Sequence, residues 1–63
     1  MDFKERLEIE RYELQDKLKN LQNFIARNEK FHELSEIQQS LLVVQSKAMD
    51  TYYQCLVRRI NNL

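Results

Sequence analysis

Sixty-three residues with no glycine, no proline, one cysteine, and ten basic side chains balanced by ten acidic ones give a formal net charge of zero. That balance supplies no basic field to hold duplex DNA by counterion release. No apolar run approaches the ~18 residues of a membrane span, and the charged start MDFKERLEIERYE is unlike a secretory signal. A chain below about 70 residues rarely draws more than ~3–5 kcal/mol from one core. The lone Cys55 cannot close a disulfide within the chain, and no Cys/His cluster has metal-ligand spacing. Self-association is the remaining source of stability, so the expectation is a soluble, intracellular, all-α homo-oligomer without cofactor. It is one small domain, residues 1–63.

The first element is a helix over about residues 2–28. Leu7, Leu14 and Leu21 recur every seven residues, and Leu18 and Ile25 fill the intervening positions of the same heptad seam. With the leucines at d, Lys4, Arg11, Leu18 and Ile25 fall at a, so Arg11 interrupts the seam. Asp2, Glu5 and Glu8 gather where the helix dipole favours negative charge.

The segment 29–35 breaks the period and is expected to be a loop. Asn28 is suited to a left-handed helix cap, and Ser35 followed by Gln38 has capping-box spacing that opens a second helix over about 36–62. Phe31 and Leu34 would tuck under the closed end of an antiparallel two-helix hairpin, with His32 an ordinary surface residue.

The second long helix is apolar over too wide an arc for one partner. At about 100° per residue, Ile37, Leu41, Val44, Ala48 and Cys55 line one side, while Leu42, Met49, Tyr53, Leu56, Ile60 and Leu63 line the other. The first helix cannot cover both sides, so the hairpin is expected to homo-oligomerise through this helix. Cys55, on an apolar flank, is expected to be a small core residue. Between the flanks Gln38, Gln45, Tyr52 and Arg59 recur every seven residues. If both flanks are buried, each of these polar groups must find a partner.

Two roles are open for that stripe. The polar side chains can satisfy one another across a symmetric interface and fix its register, as polar core residues do in coiled coils. Alternatively, symmetry-related copies of Arg59, Tyr52 and Gln45 converge on a cavity that suits an anion carrying bases. Arginine pairs with phosphate, tyrosine stacks on bases, and glutamine hydrogen-bonds base edges. Arg11, Arg58 and Arg59 would gather at the open end of an antiparallel hairpin, with Tyr12 and Tyr53 either stacking partners or interface packing. Arg58 points about 100° away from Arg59, toward Lys47 and Gln54. No acid, base, nucleophile and metal constellation is present, so an enzyme is not expected.

The pattern F-x-x-L-S-x-x-Q-x-x-L-L-x-x-Q-x-x-A-M-x-x-Y-x-x-x-L-x-x-R-I, from Phe31 to Ile60, resembles the helical-hairpin family of small phage proteins that includes the anti-CBASS and anti-Thoeris nucleotide sponges. The resemblance extends through the leucine seam into the first helix. It implies an oligomer, trimer or hexamer, that sequesters cyclic oligonucleotide or cyclic ADP-ribose signals of bacterial immunity in the host cytoplasm and binds them without catalysis. It further implies ligand contact by Gln45, Tyr52 and Arg59, with Met49, Leu56 and Ile60 in interface core. A site made by the hairpins themselves, on a symmetry axis, would favour a cyclic trinucleotide.

Overall fold

The computed structural model describes residues 2–63 and contains α1 (Phe3–Arg27), α2 (Lys30–Glu33) and α3 (Glu36–Asn61), with no strand among the described residues. The two long helices pack along each other into a rod of 43 × 15 × 14 Å. With neither glycine nor proline inside them, both run unbroken for about seven turns at ~3.6 residues per turn.

Local chemistry fixes each helix start. Asp2 is the N-cap of α1, its Oδ1 accepting from the Glu5 N–H at 2.7 Å, and Glu5 adds negative charge to the first turn. Ser35 caps α3, its Oγ accepting from the Gln38 N–H at 3.2 Å, which supplies the serine half of the expected capping box. At the far end Arg58 and Arg59 lie in the last turn of α3, where cations suit the dipole.

The connection departs from the expected loop: Lys30–Glu33 form a single helical turn, α2. Nor is the cap of α1 left-handed, since Asn28 is extended at φ −95°, ψ 124° and no described residue has positive φ. Its side chain explains the difference. Asn28 Oδ1 accepts from the Lys30 N–H at 2.9 Å, an Asx turn that launches α2 directly. The turn ends at Leu34, and the Gln39 side chain reaches back to donate to the Leu34 carbonyl at 2.9 Å and the His32 carbonyl at 3.4 Å. Carbonyls that α2 cannot satisfy internally thus find a donor on α3.

Among the described residues five are buried: Leu7, Leu14, Leu18, Phe31 and Leu56. Leu7, Leu14 and Leu56 form a cluster on which Met49, Tyr53 and Ile60 are packed, joining the seam of α1 to one flank of α3. Phe31 closes the other end, its ring edge-on to Phe24 at 6.1 Å between centroids, and His32 stands exposed beside it at 5.5 Å. Leu21 and Ile25, expected in the seam, are only half-buried. Every buried side-chain nitrogen or oxygen among the described residues has a hydrogen-bond partner. Among the described residues no helix is long and apolar enough to cross a membrane.

Candidate functional site

The wide apolar arc of α3 divides into a covered and an uncovered half. Leu42, Met49, Tyr53, Leu56 and Ile60 are buried or half-buried toward α1. Ile37, Leu41 and Val44 are 65%, 54% and 61% exposed, and Ala48 is exposed beside them. Cys55 is also exposed, contrary to the core position expected for it, because α1 packs on the opposite flank. Leu63, expected on the covered flank, lies beyond the last turn of α3 and is 64% exposed.

All four stripe residues, Gln38, Gln45, Tyr52 and Arg59, are exposed in the single hairpin. A seven-residue repeat drifts about 20° per heptad on a straight helix, so the stripe crosses α3 obliquely. Gln38 precedes the buried Leu56 by about five full turns and shares its azimuth, next to the α1 contact. Arg59 follows the exposed Leu41 by the same interval and stands within the uncovered flank. At the open end the Arg59 guanidinium carbon sits 6.0 Å from the centroid of the Phe3 ring, a cation–π contact that steadies the side chain.

Arg11 occupies the other edge of the helix pair. It lines a cleft of about 290 Å³ with Glu8, Tyr53, Val57, Ile60 and Asn61. Val57 and Asn61 lie on the side of the α1-facing residues opposite Arg59, by roughly 160° of helix rotation for each at ~100° per residue. One hairpin therefore brings Arg11 to Tyr53 and Arg59 to Phe3, on two different edges. Arg58 is exposed on the polar outer side of α3, on the same azimuth as Ser40. Tyr12, 69% exposed, is on the far side of α1, where it shares a shallow groove with Glu5, Ile9 and Arg11. Among the described residues no group of three or more His, Cys, Asp or Glu side chains could hold a metal ion.

Phe3, Val57 and Asn61 were not singled out by spacing. Phe3 carried a usable signal, since it precedes Leu7 by four residues and so extends the face that the leucines define. Val57 and Asn61 carried none, because they gain their setting only from Arg11 across the helix interface.

The model of the Sequestin family matches residues 1–62, nearly the whole chain. The chain belongs to the Sequestin family. The name denotes sequestering, the binding and holding of a molecule, and an all-helical Sequestin hairpin with an uncovered apolar face and exposed arginine and tyrosine side chains accords with it. No curated protein and no solved structure matches the chain.

Proposed function

We propose that this single hairpin domain, residues 1–63, is a phage anti-immune sponge that binds and sequesters cyclic oligonucleotide second messengers in the host cytoplasm without catalysis. A cyclic trinucleotide is favoured over a dinucleotide. The assembly is a trimer or hexamer built through α3. The observation that carries this reading is the uncovered flank of α3, where Ile37, Leu41 and Val44 lie beside Gln45, Tyr52 and Arg59. Large apolar side chains left in water call for a covering chain. Once they are covered, the adjoining amide, phenol and guanidinium become a polar lining shared between copies. Tyrosine then stacks on a base, arginine holds phosphate, and glutamine selects base edges. Arg11, Arg58 and Tyr12 are secondary contacts, brought in only if assembly places their surfaces beside a neighbour's stripe.

Calorimetric titration of cyclic di- and trinucleotides into the wild type and Arg59→Ala tests the reading. Saturable heat in the wild type, lost or weakened at least tenfold in Arg59→Ala, is expected. No heat with any cyclic nucleotide in the wild type would refute it. A second reading is a structural or regulatory hairpin whose apolar flank docks on a different protein, the stripe serving only register. The 54–65% exposure of Ile37, Leu41 and Val44 serves that equally well. Native mass separates the two, since a trimer or hexamer fits the sponge and a monomer or simple dimer fits the docking module.

A further inference from the structure

We infer that the uncovered flank of α3 is the seat of a second copy of this chain in antiparallel orientation, centred near Ser46, with the two polar stripes side by side along one edge. The inference rests on the proposed assembly through α3 in its hexameric form, since a twofold contact can pair chains within a hexamer but cannot build a closed trimer, and it gives that assembly a direction and a register.

The flank is a heptad seam in its own right. Ile37, Leu41, Val44, Ala48, Thr51 and Cys55 alternate in steps of four and three, which makes Ile37, Val44 and Thr51 d positions and Leu41, Ala48 and Cys55 a positions. All six are exposed, and they lie within α3, which runs unbroken from Glu36 to Asn61. Their sizes are graded along the helix: the large side chains Ile37, Leu41 and Val44 occupy the first half, and the small ones Ala48, Thr51 and Cys55 the second. Two antiparallel copies put each large residue against a small one: Ile37 faces Cys55, Leu41 faces Thr51 and Val44 faces Ala48, each pair occurring again through the twofold axis. The layers are then more even in combined volume than in a parallel pair, which favours close packing at a constant interhelical distance. Parallel copies would pair large with large at one end and small with small at the other, leaving a gap or splaying the helices.

Charge points the same way. Arg58 is the next d position of the seam, so a parallel pair would set Arg58 against its own copy. In the antiparallel pair those arginines approach the start of the other copy's α3, where Glu33 and Glu36 are exposed. The two helix dipoles also lie antiparallel, the positive end of each beside the negative end of the other. The stripe Gln38, Gln45, Tyr52 and Arg59 falls at e positions, and e rows meet e rows only when helices are antiparallel. Tyr52 and Gln45 of both copies therefore border the middle of the interface on one edge, with an Arg59 toward each end. The stripe is in this way a flanking row of the twofold contact, available to a ligand without being buried in the seam.

Thiol cross-linking of the full chain reads the orientation directly. Antiparallel copies hold the two Cys55 residues about 27 Å apart at ~1.5 Å per residue, far beyond the ~7 Å between Cα atoms that a disulfide tolerates. Wild type at a concentration where native mass shows an oligomer should give only traces of covalent dimer under mild oxidation or with a short bifunctional maleimide. Ile37→Cys should give covalent dimer as the main product. Its tryptic map should join the peptide Phe31–Lys47 to the peptide Ala48–Arg58. Helicity by circular dichroism checks that the variant is folded, and wild type supplies the arm that needs no substitution. A dominant Cys55-to-Cys55 link in wild type, or a dominant link between two Phe31–Lys47 peptides in the variant, overturns the antiparallel seat while leaving assembly through α3 intact. A monomeric native mass at every concentration overturns both. Absence of nucleotide binding refutes the sponge alone, because the cross-link involves no ligand.

Discussion

Truncating Leu56 to alanine tests the packing of the hairpin where its consequences are largest. Leu56 is the most enclosed residue of the chain, at 0% exposure, and sits among Leu7 and Leu14 of α1 with Met49, Tyr53 and Ile60 of its own helix around it. Buried leucine-to-alanine changes cost ~2–5 kcal/mol, the lost transfer energy plus a cavity term. A two-helix layer can partly collapse onto the gap, so about 3 kcal/mol is the working value. The whole chain of 63 residues has roughly 3–9 kcal/mol available at ~0.05–0.15 kcal/mol per residue. One side chain therefore carries a third or more of the stability. At about 4–8 °C per kcal/mol for a domain of this size, the melting temperature should fall by roughly 12–24 °C. The assay is a far-UV circular dichroism melt of wild type and variant at equal protein concentration, since assembly couples the midpoint to concentration. Leu41→Ala is the matched control: the same atoms are deleted on the uncovered flank, and a monomer should feel no more than about 0.5 kcal/mol. A fall of less than about 4 °C for Leu56→Ala would show that the α1–α3 contact is not where the hairpin's stability resides.

Further expectations concern the cap, the uncovered flank and the closed end. Ser35→Ala removes the acceptor for the Gln38 N–H and should cost about 1 kcal/mol, read as a modest drop in melting temperature that Ser35→Asp restores. Val44→Asp places a charge in the middle of the exposed seam. It should reduce the native mass to that of a monomer while leaving the circular dichroism spectrum of the hairpin in place. Phe31→Ala empties the buried ring position against Phe24 and should cost ~3–5 kcal/mol, enough to make the closed end exchange its amide hydrogens at a rate close to that of the unfolded chain.

Much of this fold is legible in the spacing of its leucines. Leu7, Leu14 and Leu18 are buried where a heptad seam on α1 puts them, and the Ser35 cap is found at its expected place. What spacing alone left open was the choice between two apolar flanks of α3. Both carry large side chains in the first half of α3, but only the flank of Leu42, Met49, Tyr53, Leu56 and Ile60 carries them through the second half as well, and that is the flank α1 covers. The same ambiguity explains Cys55, a small apolar residue at helical core spacing that lies on the flank not chosen. The turn Lys30–Glu33 was missed for a different reason. One helical turn has no period to detect, and the Asx turn of Asn28 and the burial of Phe31 are tertiary facts. For the candidate site, the stripe and the arginines were visible as residue types, but their distribution over two edges of the helix pair was not. Arg11 and Arg59 differ in setting because α1 presents Arg11 toward Val57 and Asn61 and presents Phe3 toward Arg59.

The division of α3 into two apolar halves also says why so small a chain can carry a polar row through its greasiest helix. In one hairpin the row costs little, because Gln38, Gln45, Tyr52 and Arg59 all remain in water. Their drift of about 20° per heptad carries them from the edge of the α1 contact at Gln38 into the uncovered flank at Arg59. A partner that wrapped the whole flank would have to desolvate Arg59, and an unpaired guanidinium so buried is strongly destabilising. A partner seated on the heptad seam of Ile37, Leu41, Val44 and Ala48 avoids that penalty by supercoiling with the seam, which holds the row at a constant angle to the interface. The row then stays at the rim, hydrated or filled by ligand. Recruiting a polar molecule there removes water from the tyrosine and arginine side chains only when something is bound. A sequestering protein can therefore keep its empty state stable and its binding groups accessible.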